Sequence, residues 1–299
     1  MTRTPLVLAR KAAEVLEARG IEQPRLEAEL LLAKVLGVSR LEIYLQHDRP
    51  LTESEIEAYR QAVRRRMRRE PLQYITGEAP FRDLTLRVDR RVLVPRPETE
   101  VVVGAVLEWT AGTRDGKCEA LDIGTGSGAI ALSLAAEGTF ARIVATDVSG
   151  DAIDVARENA RRLGLDTAVE FRRGSLWEPI NPGERFDVIV SNPPYVAAPD
   201  RDGLAPEVRE WEPPVALFAG DDGLDVIREL IAGAAERLRP GGLLAIEVGD
   251  GQASAVVAAM DATSHYARTW VVPDLAGRAR VVLATTRHLA NGDTGVDNE

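Results

Sequence analysis

Asn192-Pro193-Pro194-Tyr195 follows an apolar run, Phe186 to Ser191, that reads as a buried strand. Asn192 carries a side-chain acceptor, and Pro193 and Pro194 have no N–H, so this corner offers carbonyl acceptors without competing donors. Such a corner suits a planar –NH2 group. One N–H would go to the Asn192 side-chain oxygen and the other to the Pro193 carbonyl, leaving one face of the nitrogen exposed. Tyr195 would pack against the flat group that bears it. An Asn-Pro pair alone reads as a turn. The whole tetrapeptide at the end of a buried strand reads as a site, because ligands of open α/β sheets bind at strand ends.

A second stretch, Leu121-Asp122-Ile123-Gly124-Thr125-Gly126-Ser127-Gly128, leaves one predicted strand and enters a predicted helix. Its glycines permit a sharp turn and let a ligand lie against bare main chain. The helix start beyond them presents unpaired N–H groups. NAD, flavin and S-adenosylmethionine sites all share this spacing. The missing Lys-Ser/Thr ending argues against a nucleoside triphosphate. Asp147 closes the next strand, where a carboxylate accepts from both hydroxyls of an adenosine ribose. Loop and acid together predict an adenosine-containing cofactor; the plain alternative is a tight turn followed by an acid at a helix start.

Strand and helix patterns alternate from Glu119 onward. Strands are predicted at 119–123, 142–147, 169–172, 186–191, 243–248, 269–272 and 279–284, and helices include 150–163 and 223–238. The expected fold class is α/β, with a mainly parallel, doubly wound sheet. Residues 1–75 read as a helical bundle, with Thr52 and Glu55 as a capping pair. Residues 76–95 read as a β-hairpin linker, in which Phe81 to Val88 pairs with Val92 to Val94. Pro97 suits the first turn of the next helix, and Glu98 and Glu100 its positive end. The main domain is expected over 96–286, and the polar segment 287–299 as a disordered tail.

Of the 299 residues, 37 are Lys or Arg and 47 are Asp or Glu, a net charge of -10. That balance argues against a protein built mainly to grip nucleic-acid phosphates. Residues 1–75 reverse it, with 14 Lys/Arg against 11 Asp/Glu. Arg60, Arg64, Arg65, Arg66, Arg68 and Arg69 supply most of that excess, either to contact a partner or as a solvated face paired with glutamates. A single cysteine, Cys118, rules out an internal disulfide, and three scattered histidines give no zinc spacing. The short apolar run near the N-terminus is broken by charge, and no run reaches the roughly 18 apolar residues of a membrane span, so a cytoplasmic protein is expected.

Gly124-Thr-Gly-Ser-Gly128 with Asp147 and Asn192-Pro-Pro-Tyr195 resembles the class I S-adenosylmethionine-dependent methyltransferases that modify amide or exocyclic amine nitrogens. Val94-Pro-Arg-Pro-Glu-Thr-Glu100, Glu207-Val-Arg, Glu212-Pro213 and Asp222-Gly-Leu-Asp225 resemble more narrowly the HemK-type (PrmC) release factor glutamine methyltransferases, a likeness reaching from the N-terminal helices to about Ala284. The resemblance implies a Rossmann-like class I methyltransferase sheet and methylation of the glutamine in the Gly-Gly-Gln loop of class I peptide chain release factors. It also implies that the N-terminal helices help hold the factor. By the same resemblance Gly124, Thr125, Gly126, Ser127 and Gly128 hold the methionine part of the cofactor, Asp147 the ribose, and Asp122 the amino group. Asn192, Pro193, Pro194 and Tyr195 hold the target glutamine, with Asn192 also near the cofactor. Ser175 stands where the family often has an acid, so adenine contacts fall to Ser175, Leu176 or Trp177. Competing readings are a DNA aminomethyltransferase, methylation of another ribosomal protein amide, an NAD-dependent oxidoreductase, and a non-catalytic cofactor-binding protein. No stable nucleic-acid or membrane partner, and no metal, is expected.

Overall fold

A computed structural model describes residues 4–113 and 118–287. It separates into two compact units. One holds the residues up to Glu78 together with Leu204–Trp211; the other holds Ala79–Gly203 and the residues from Glu212 onward.

The first unit contains α1 (Pro5–Glu17), α2 (Pro24–Leu36), α3 (Arg40–Leu45), α4 (Glu53–Met67) and α5 (Leu72–Thr76). Leu16, Ala28, Leu32, Ile43 and Ile56 form its core, following the three- and four-residue spacing of the sequence. Thr52 caps α4: its Oγ1 accepts from Glu55 N at 3.2 Å, and the Glu55 carboxylate accepts from Thr52 N at 2.8 Å. Ser39 and Glu42 repeat this box at α3. The arginine run of α4 is largely neutralised within the unit. Arg60 and Arg64 meet Glu57, Arg65 meets Glu70, Arg66 meets Glu27 and Glu207, and Arg69 meets Glu207.

The chain continues through β1 (Glu78–Phe81), β2 (Leu84–Arg87), α6 (Thr99–Thr113), β3 (Cys118–Ile123), α7 (Ala129–Glu137), β4 (Phe140–Asp147), α8 (Gly150–Leu163), β5 (Val169–Arg173) and β6 (Phe186–Ser191). After α9 (Pro206–Trp211), which belongs to the first unit, come α10 (Asp225–Arg237), β7 (Leu238–Glu247), α11 (Ala253–Ala262), β8 (Tyr266–Pro273) and β9 (Ala279–Thr286).

Seven strands form one sheet in the order β5-β4-β3-β6-β7-β9-β8. β5, β4, β3, β6 and β7 run parallel, and β9 joins antiparallel to β7 and β8. The chain leaves β3 toward β4 and β5 and returns to the other side at β6. The order therefore reverses around β3, the place where such sheets open a crevice. Both faces are apolar. Ala120, Val188 and Val190 face a core with Leu132 of α7, whereas Leu121, Ile123 and Ile189 face one with Leu230 of α10. Asp122 has the parity of Ala120 and so points under α7.

Two local expectations are corrected. Phe81 to Val88 is not one strand: Arg82 adopts φ +50° and turns the chain, so β1 and β2 pair with each other and Val92 to Val94 carries no strand. The helix expected from Pro97 starts at Thr99, after a turn in which Thr99 N bonds Arg96 O and Glu100 N bonds Pro97 O. The expected tail lies, beyond Arg287, outside the described residues.

Candidate active site

A cavity of about 340 Å³ opens at the carboxyl ends of β3, β4, β5 and β6, where the strand order reverses. Gly124, Thr125, Gly126 and Ser127 form one wall, Asp147 and Ser175-Leu176 another, and Asn192, Pro193 and Pro194 a third. Residues some 70 positions apart in sequence thus share one volume, which is what the parallel register of β3 with β4 and β6 achieves.

The glycine loop is held from below. Gly124 N and Thr125 N both donate to Thr146 O at 2.9 Å, tying the loop to the end of β4. Gly124, Gly126 and Gly128 have φ of +76°, +55° and +85°, a region that side chains with Cβ enter at a cost. A Cβ at Gly126 would project into open space beside the cavity, and one at Gly128 would come within 2.9 Å of Leu132 Cδ1. Gly126 therefore keeps the wall bare, and Gly128, which is outside the lining, lets α7 pack.

Asp147 Oδ2 accepts from Gly126 N and Oδ1 from Ser149 N, both at 2.9 Å, which orients the carboxylate at the cavity edge. Burial raises its pKa against these two bonds. Asp122 lies beneath the loop and outside the cavity lining. It is fully buried, and its Oδ2 accepts from Thr125 Oγ1 at 2.7 Å and Ala131 N at 3.2 Å, while Oδ1 has no partner. Burial pushes its carboxyl up to about 7, and the charge of Asp147 adds to that.

Asn192 follows β6, whose last residue, Ser191, donates from Oγ to Ile123 O at 2.7 Å. Asn192 Nδ2 donates to Thr99 Oγ1 at 2.9 Å, which turns Oδ1 the opposite way. Tyr195 sits behind this corner, outside the lining, and its carbonyl accepts from Gln252 Nε2 at 2.9 Å. Burial first, and the Glu247 charge second, push its phenol up to about 12, so it stays neutral. Leu176 reaches the cavity with φ +45°, whereas Trp177 turns away, its Nε1 donating to Glu229 O at 3.2 Å beneath the Arg237 guanidinium.

Three residues were given no role at the site from sequence, although two of them lie in the quoted Val94–Glu100 motif. Arg96 lines the cavity and grips buried Glu212 through Nη2, 2.7 Å from both carboxylate oxygens, joining the segments before α6 and after α9. Thr99, the first residue of α6, both lines the cavity and holds Asn192. Glu247, at the end of β7, is fully buried, and neither of its oxygens has a hydrogen-bond partner, although the Thr99 hydroxyl favours its charged form. Burial outweighs that help and that of Arg280, and raises the Glu247 carboxyl to about 7. The signal was available: one acid closing the apolar run Leu243 to Ile246.

A glycine loop, an acid at the next strand end and an Asn-Pro-Pro corner around one reversal of a parallel sheet define a class I, Rossmann-like methyltransferase fold. Residues 107–206 match the methyltransferase small domain family and residues 8–77 the PrmC N-terminal domain family. A methyltransferase from Pyrococcus furiosus shares the fold with a TM-score of 0.51 at 21% identity, over 68% of this chain and 89% of that one. The hMettl16 catalytic domain, solved with MAT2A 3'UTR hairpin 6, does so with a TM-score of 0.56 at 15% identity, over 69% and 76%. A release factor glutamine methyltransferase from Moorella thermoacetica is 45% identical over 93% of this chain and 96% of its own length. Another from Koribacter versatilis is 42% identical over 91% and 95%. The chain belongs to the release factor glutamine methyltransferase family. Among the described residues no helix is long and apolar enough to cross a membrane, and no cluster of three or more His, Cys, Asp or Glu could hold a metal ion.

Proposed function

We propose that the protein transfers a methyl group from S-adenosylmethionine to the side-chain amide nitrogen (N5) of the glutamine in the Gly-Gly-Gln motif of class I peptide chain release factors. The observation that carries this reading is that Asn192-Pro193-Pro194 shares one cavity with the glycine loop and Asp147, in a chain of this family. The cavity fits the cofactor. The bare wall at Gly126 admits close approach, the start of α7 offers N–H groups, and Asp147 stands at the edge as a ribose acceptor. Ser175 and Leu176 are assigned to the adenine side. Asp122 acts from beneath, by holding Thr125 and Ala131 in the loop's shape, rather than by facing the ligand.

When bound, the cofactor supplies an electrophilic sulfonium methyl group. The chain's task is to present a poor nucleophile, since an amide lone pair is delocalised into its carbonyl. Asn192 Oδ1 and the Pro193 carbonyl accept from the two amide N–H groups, pull electron density onto nitrogen, and stabilise the positive charge that grows there. Pro193 and Pro194 present no N–H to compete. Tyr195 backs the corner as a neutral ring. The amide proton is lost as the charge develops on nitrogen, so the scheme does not call for prior deprotonation of the amide. Holding nitrogen in line with the methyl group accounts for up to roughly 7–11 kcal/mol of the barrier. The helical bundle, residues 1–75, is assigned to recognising the release factor, in the cytoplasm.

Mass spectrometry of the Gly-Gly-Gln peptide after incubating release factor, S-adenosylmethionine and this protein tests the reading. One added methyl on the glutamine is expected; an unmodified glutamine, or a methyl on another residue, would overturn it.

A further inference from the structure

Asn159 of α8 is 1% exposed and lies outside the cavity lining, and the reaction scheme above leaves it unused. Its side chain is spent on main chain. Oδ1 accepts from Arg87 N at 2.7 Å, while Nδ2 donates to Arg87 O at 3.0 Å and to Ser127 O at 2.9 Å. Asn159 thus pairs with Arg87, the last residue of β2, as a neighbouring strand would, and reaches the glycine loop with its other hydrogen. The amide cannot turn over, because Oδ1 would then face two carbonyl oxygens. A buried amide so fully engaged is a rigid brace.

The brace joins two parts of the cavity wall. Ser127 lines the cavity, and the peptide after it is held at both ends, its oxygen by Asn159 and its N–H, on Gly128, by Thr125 O at 2.8 Å. The close approach of α8 is built in: a Cβ at Gly128 would come within 3.3 Å of the Cβ of Ala156, one turn before Asn159 on the same face of the helix. On the other side, Arg91, Val92 and Leu93 line the cavity a few residues beyond Arg87. Glu158, next to Asn159, stands 3.5 Å from Arg91 Nη1.

We propose that Asn159 is a positioning residue for the cofactor: by joining the Ser127–Gly128 peptide to the Arg87 main chain, it locks the glycine loop in its ligand-binding form and couples it to the strand that leads into the cavity edge at Arg91. The inference rests on the S-adenosylmethionine reading above and adds to it a residue that does not touch the ligand. Without the brace the Ser127–Gly128 peptide is free to rotate, since glycine tolerates many values of φ. A loop spread over several forms binds less tightly, in proportion to the fraction that is competent.

Asn159→Leu keeps the branched shape and removes all three bonds; Asn159→Asp keeps the acceptor for Arg87 N and removes both donors. Calorimetry should show S-adenosylmethionine binding about tenfold more weakly to each, the scale of one lost hydrogen bond. With release factor as substrate, KM for S-adenosylmethionine should rise by the same factor. KM for release factor should stay unchanged, and kcat at saturating cofactor should move far less. A role confined to stability would lower the melting temperature and leave these affinities alone. The coupling has its own readout in the wild type. Hydrogen exchange at the Arg87 backbone N–H, followed by NMR, should slow when S-adenosylmethionine is added, by more than at the backbone N–H groups of β8 and β9. That extra slowing should vanish in Asn159→Leu saturated with cofactor. Wild-type affinity in either variant, or an Arg87 N–H that responds to cofactor no more than β8 and β9 do, would overturn the proposal. A wild type that does not bind S-adenosylmethionine would overturn both the functional reading and the brace. One that binds it but leaves glutamine unmethylated would overturn the proposed reaction alone.

Discussion

Of the two acceptors in the proposed mechanism, Asn192 Oδ1 is the one a side-chain substitution can remove. The nitrogen to be methylated has its lone pair withdrawn by a carbonyl, so a site gains by raising electron density there as the bond forms. In the proposed mechanism Asn192 Oδ1 does this, which requires the rest of its amide to be tied down, and the 2.9 Å bond to Thr99 ties it. Asn192→Ala removes the acceptor while the glycine loop and Asp147 stay in place. Transfer should then slow by about 10²–10³, equivalent to about 3–4 kcal/mol. Calorimetry should still register S-adenosylmethionine binding. A wild-type rate in this variant would remove Asn192 from the mechanism.

Elements position such atoms, and the glycine loop shows how local geometry serves a cavity. Its main chain is tied at both ends: Gly124 N and Thr125 N donate to Thr146 O, Gly126 N to the Asp147 carboxylate, and Ser127 O accepts from Asn159 Nδ2. Gly126 adopts φ +55° with open space where a Cβ would go. Gly126→Ala should strain the backbone by about 1–2 kcal/mol and place a methyl beside the ligand. Cofactor affinity should drop about tenfold, as a loss near 1.4 kcal/mol predicts, while the melting temperature falls only modestly. Unchanged affinity in a calorimetric titration would mean that the loop's main chain is not in contact with the cofactor. On α4 the glutamates, rather than solvent alone, absorb the arginine charge, so that helix carries far less free positive potential than its sequence suggests.

At the scale of the molecule, one short segment departs from chain order. Leu204–Trp211 lies between stretches of the sheet unit yet belongs to the helical one, where Glu207 meets Arg66 and Arg69 at 2.8 and 2.7 Å. The Arg66 side chain is only 6% exposed and also meets Glu27. Truncating a buried cation leaves its carboxylates facing each other without it. Arg66→Ala should therefore destabilise the helical unit by about 3 kcal/mol, read as a lower urea midpoint. An unchanged midpoint would show that this cluster contributes nothing to holding the segment.

Local physics made much of this legible from the chain alone. A near-continuous apolar run marks a strand buried on both faces, and it located Phe186–Ser191 to the residue. Thr52 with Glu55 marks a helix start because a cap needs only three residues of separation. The loop, Asp147 and Asn192 were readable because each is a short motif with its own chemistry. The pairing of Arg82's turn, the seat of residues 204–211, the depth of Asp122 and the meeting of Asn192 with Thr99 were not. Those depend on which strands become neighbours and on how far each side chain ends from water, quantities that arise only when residues far apart in sequence share one sheet end.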